Sequence, residues 1–68
     1  MSYRRLIAHR RVIVNLTTGK AIEGVLVRHC GPLLVLKGAV LLEVGADPIA
    51  MDGEIVLERD RVDFIQAL

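Results

Sequence analysis

The sequence predicts an all-β fold: a five- to six-stranded, strongly bent antiparallel small barrel led by a short basic N-terminal arm or helix. Three observations predict it. The stretch VIVNLTTGKAIEGVLVRHCGPLLVL, beginning at Val12, holds three apolar runs rich in β-branched residues, parted by short glycine-bearing breaks. Gly19 and Gly24 stand five residues apart, the first placed for a turn and the second inside a strand, where glycine marks a bulge or a sharp coil. At 68 residues there is room for one domain. Short bent strands in so small a chain close most economically into a barrel.

Residues 1–10 form the basic lead and residues 11–68 the barrel. In the lead, Tyr3, Leu6 and Ile7 share one helical face, so a turn or two of helix competes with an arm lying on a neighbouring subunit. The first strand runs over residues 11–16, with Val12, Val14 and Leu16 on one face and Arg11, Ile13 and Asn15 on the other. Thr17-Thr18-Gly19-Lys20 supplies the turn, and residues 21–28 the second strand, bent at Gly24. His29-Cys30-Gly31-Pro32 is the next break. Residues 33–37 read as a third strand covered on both faces, because the run is almost continuously apolar. Gly38 interrupts it before a further strand over residues 39–44, and residues 45–53 form the longest loop, with Asp52-Gly53 as a hairpin turn. Residues 54–58 alternate: Ile55 and Leu57 point in, while Glu54, Val56 and Glu58 point out. Arg59-Asp60-Arg61 is a tight charged turn. In the closing strand, residues 62–66, Val62, Phe64 and Gln66 oppose Asp63 and Ile65, and Phe64 reads as core.

Composition says more about assembly than about chemistry. Apolar residues make up 53% of the chain and mean hydropathy is +0.48. A domain of this size buries only about 60% of its unfolded surface, which leaves apolar area to spare. Small scaffolds need a staple. Cys30 is the single cysteine, so no internal disulfide forms, and His9, His29 and Cys30 lack the paired spacing of a metal site. Self-association is the staple that remains. Charge is segregated: residues 1–22 carry five bases and no acid, and residues 43–63 carry seven acids against two bases. Such asymmetry serves a basic arm for nucleic acid, a register between complementary neighbours, or two differently solvated faces. No signal or membrane-length apolar segment is evident, and one unpaired cysteine fits a cytoplasmic protein.

Catalytic chemistry finds no foothold. His29 and Cys30 are adjacent on a strand, so their side chains point to opposite faces and form no nucleophile–base pair. Cys30 reads instead as a small buried or half-buried residue. Asp47, Asp52 and Glu54 are too few and too widely spaced for a calcium loop. No phosphate loop, triad or paired-carboxylate cleft occurs. The expectation is a non-enzyme without metal or cofactor.

Over residues 10–66 the chain resembles the Sm-like (LSm) family of the SH3-like barrels. Gly19-Lys20-Ala21-Ile22-Glu23-Gly24 matches the glycine spacing of that family's first motif, and Leu33-Leu34-Val35-Leu36 its closing apolar run. The segment Val56-Leu57-Glu58-Arg59-Asp60-Arg61-Val62-Asp63-Phe64-Ile65 follows the outline of the second motif. The resemblance implies a ring of about five to seven copies, in which the fourth strand of one subunit pairs with the fifth of the next. Residues 54–58 and 62–66 would then meet at the joint, with Val56, Glu58, Arg59, Arg61, Asp63 and Ile65 as interface residues and Val56 and Ile65 buried by it. Sm-like RNA pockets use an acidic residue and an asparagine between the second and third strands and an Arg-Gly turn in the second motif. Here the first loop is His29-Cys30-Gly31-Pro32, one residue shorter, and the turn is Glu58-Arg59, so the expected RNA contacts are missing.

The tail MDGEIVLERDRVDFIQAL also resembles small barrel proteins of tailed bacteriophage virions, which serve as capsid cement, head–tail joints or tail parts. The expected function is a structural module that self-associates or docks through its edge strands, such as a virion component in a capsid or tail. The alternative is an oligomeric ring that binds RNA or DNA through Tyr3, Arg4, Arg5, Arg10 and Arg11. A peptide-binding adaptor is a third class, because fold does not determine function.

Overall fold

The computed structural model describes residues 9–68 and consists almost entirely of antiparallel strand. β1 (Arg11–Leu16), β2 (Ala21–Cys30), β3 (Leu33–Leu42), β4 (Ile49–Met51), β5 (Ile55–Glu58) and β6 (Val62–Ala67) follow in order, with one 3-10 turn at Arg59–Arg61 before β6. Strands pair in the order β4-β3-β2-β1-β6, and β5 also pairs with β3. Of the arm or short helix expected over residues 1–10, residues 1–8, with Tyr3, Arg4 and Arg5, lie outside the described residues.

The core forms where the alternation predicts it. Val12 and Val14 of β1, Ile22 and Leu26 of β2, and Leu34, Leu36 and Ala39 of β3 are buried together. Leu16, Leu41, Met51, Ile55, Leu57, Val62 and Ile65 close around them. Fully burying one such side chain contributes about 1.5–3 kcal/mol, so this cluster is what holds the bent sheet shut.

The bend is made at Gly24. Register slips between Glu23 and Val25, where β2 passes the bulged part of β3. A Cβ on Gly24 would stand 3.1 Å from the Lys37 carbonyl oxygen and 3.3 Å from the Ala39 Cα. Glycine is there to let two backbones approach.

Several boundaries depart from the sequence reading. β2 continues through His29 to Cys30, which pairs with Leu33, so the break shrinks to Gly31-Pro32. Gly31 has φ +56°, and glycine first in a two-residue hairpin suits the twist of the flanking strands. Cys30 is exposed at that tip, not buried. Gly38 does not end a strand: with φ +59° it is a bulge within a continuous β3. The loop expected over residues 45–53 contains β4. Asp52-Gly53 is no hairpin either, because β4 and β5 both lie along β3 as one line, offset by one residue at the kink.

The largest correction concerns β6. Asn15 pairs with Phe64 and Leu16 with Val62, so Asp63 is an extra residue bulged out of the ladder. One inserted residue reverses the side-chain phase. Val62 and Ile65 therefore both pack on the core, while Phe64 is 53% exposed.

Candidate assembly edges and ligand surfaces

The strand order leaves two edges open, and hydrogen-bond parity shows which residues offer unpaired backbone groups. The Arg59 N–H donates to the Pro32 carbonyl at 2.8 Å, continuing the register Leu33–Glu58 and Leu34–Leu57. Bonded and non-bonded pairs alternate along an antiparallel ladder. Ile55 and Leu57 therefore turn their backbone groups toward β3, and Val56 and Glu58 turn theirs away. On β6, the Leu68 N–H donates to the Arg11 carbonyl at 3.0 Å, and the same alternation leaves Ile65 and Ala67 facing away from β1. No described strand covers either edge.

These edges cannot satisfy each other within one chain through an antiparallel ladder. Along the path β5-β3-β2-β1-β6 every pairing is antiparallel, so β5 and β6 run in the same direction. They also differ in phase. The free backbone groups of β5 belong to Val56 and Glu58, whose side chains leave the core, whereas on β6 they include Ile65, whose side chain enters it. At the β5 edge opens a shallow cleft of about 300 Å³ lined by Leu16, Thr18, Val56, Leu57, Glu58 and Arg61.

Of the side chains expected at a joint, Val56, Glu58, Arg59, Arg61 and Asp63 are exposed. Ile65 is not, since it packs on its own core; only its backbone serves the edge. Phe64 is the residue that the sequence reading missed. The signal was present in Val62-Asp63-Phe64-Ile65: two neighbouring large apolar residues cannot both face inward on a strand, and the charge at position 63 marked the break in phase.

The turns that correspond to an Sm-like RNA pocket do lie together. Cys30, Leu33 and Glu58 form one cross-strand row, and Arg59 is bonded to Pro32. The row presents a thiol, an aliphatic side chain and a carboxylate. That chemistry supplies no positive charge for a phosphate beyond Arg59 and no amide for reading a base edge.

The described part of the basic lead is ordered onto the sheet. The His9 N–H donates to the Leu26 carbonyl at 2.7 Å, and the Leu26 N–H to the Arg10 carbonyl at 3.1 Å. The Arg10 guanidinium donates to the Leu68 carbonyl at 3.0 Å. Arg11 forms an ion pair with Glu23 at 3.3 Å, and Arg28 one with Glu54 at 2.7 Å. Tyr3, Arg4 and Arg5 lie outside the described residues.

No family model and no curated protein matches the sequence. Solved structures do match the fold. An Sm protein of Pyrococcus abyssii, solved in complex with a uridine heptamer, superposes with a TM-score of 0.81 at 25% identity, covering 94% of this chain and 90% of that one. The SmAP1 heptamer of P. aerophilum gives 0.81 at 23% identity, over 94% and 85%. A chain of the NatC complex bound to CoA gives 0.79 at 22% identity, over 97% and 84%.

Proposed function

Because this chain has the Sm-like fold, we propose that it is a subunit of a homo-oligomeric ring, joined edge to edge, that serves as a platform for RNA. The observation that carries the reading is the mismatch of the two open edges in direction and phase. An edge that has no partner within its own chain is a template for another chain. When β5 of one subunit meets β6 of the next in antiparallel sense, Val56 and Glu58 bond with residues on the Ile65–Ala67 side. The outward Phe64 of the neighbour then falls on the face of Ile55 and Leu57, where the core is only half closed. Such a contact is heterologous, and it closes into a ring when the rotation permits. Burying Phe64, Val56 and Leu68, each more than half exposed in the single chain, would remove part of the apolar excess, leaving Val44 and Ile49 exposed. The heptamers among the structural neighbours support oligomerisation, and the uridine heptamer on one of them supports RNA as ligand.

A virion component is the reading that the tail segment suggests, but the Sm proteins and the NatC chain named above do not support it. The deciding measurement is the mass of the purified protein by light scattering behind size exclusion, at low and high salt. A discrete species of several subunits carries the ring. A 7.5 kDa monomer at all concentrations sinks it and points to a larger partner.

A further inference from the structure

The line that β4 and β5 form along β3 has a gap. Met51 pairs with Ala39 and Ile55 with Leu36, so Asp52, Gly53 and Glu54 have no ladder partner on β3. Gly53 turns there with φ +76°. Beyond the gap, β5 holds to β3 through the four pairs from Leu33–Glu58 to Leu36–Ile55. Among the described residues, the side-chain contact that ties the gap down is the ion pair of Glu54 with Arg28, at 2.7 Å. This pair reaches across a strand. Arg28 belongs to β2 and Glu54 precedes β5, and β3 lies between them. Strands lie about 4.8 Å apart, so the pair spans about 10 Å of backbone. Val35 stands under that crossing, paired with Arg28 on one side and Val56 on the other. Leu34 and Leu36 enter the core, so Val35 faces outward, yet it is only 5% exposed. The apolar stem of an arginine can cover such a residue while its head stays in water. The Arg28 and Glu54 side chains are 59% and 38% exposed, so salt reaches their charges.

We infer that Arg28 and Glu54 form a salt-sensitive strap, which holds the start of β5 on the sheet and so presents the β5 edge to a second copy of this chain. The inference rests on the ring reading, in which the free backbone groups of Val56 and Glu58 receive the neighbour's β6. With the strap released, the four ladder pairs alone hold β5, and the strand opens more often. A strand that leaves its sheet offers a neighbour no template.

Two measurements on the full chain test it, each across a series of sodium chloride concentrations. The first is native mass against protein concentration for the wild type, Arg28→Met, Glu54→Gln and the double variant. Arg28→Met keeps an apolar stem over Val35 and removes the ion pair. At low salt each single variant should need about two- to fivefold more protein to assemble, the scale of one exposed ion pair. The double variant should need no more than either single one. High salt should erase the difference from wild type. The second measurement is hydrogen exchange at the Ile55 and Leu57 amides, which turn toward β3. At low salt it should quicken by a similar factor in the single variants, while the amides of β1 keep their rates. Variants that assemble and exchange like the wild type overturn the inference, and so do single effects that add in the double variant. A wild-type monomer would sink the ring reading, and exchange at Ile55 and Leu57 would still decide whether the strap holds β5.

Discussion

At the scale of single residues, two positions concentrate the argument. Gly24 is where β2 and β3 touch, and its substitution by alanine would press a methyl group between the Lys37 carbonyl and the Ala39 backbone. Both neighbours are backbone, so relief needs a shift of β3. Gly24→Ala should therefore destabilise the fold by about 1–3 kcal/mol, read from the midpoint of urea unfolding. Phe64 makes the opposite prediction. It is 53% exposed in the single chain, so Phe64→Ala should cost the subunit's own fold little while reducing the native mass. Val56→Asp, which puts a charge on the facing edge, should dissociate the assembly as well. If both variants keep the wild-type mass on size exclusion with light scattering, the joint lies elsewhere.

At the scale of strands, what was legible was alternation, and what was not was its interruption. β1 and β5 are regular, and their inward residues Val12, Val14, Ile55 and Leu57 are the ones the sequence pattern assigns. β3 and β6 each carry an inserted residue, and there the period-two reading fails. At Gly38 it mistook a bulge for a strand end; at Asp63 it turned Phe64 inward and Ile65 outward. A bulge costs the sequence one residue and leaves composition unchanged, so only the resulting phase reveals it. The candidate joint was legible by segment, through the second motif, but not by side chain. The bulge at Gly38 also makes a test. Its φ of +59° is a conformation that a β-branched residue resists, at about 1–2 kcal/mol. Gly38→Val should lower stability by at least that amount in urea unfolding, although nothing lies within 4 Å of the position. A neutral result would mean that β3 can run straight.

At the scale of the whole molecule, the proposed ring makes the stability of a 68-residue chain with this small a core depend on its concentration. Ligation between identical subunits stabilises the folded state by mass action, so the thermal midpoint should rise with protein concentration. A midpoint independent of concentration would mean that the barrel stands alone. The mismatch of the two edges has one more consequence. Any row of these subunits that has not closed ends in one bare strand at each side, and the two ends are always unlike. Such a row never runs out of places to grow; only curvature stops it, by bringing the last subunit round to the first. Within the single chain, the close approach at Gly24 lets β2 pass the bulged part of β3. The rotation from one subunit to the next would then decide whether many chains make a closed circle or an unending fibre.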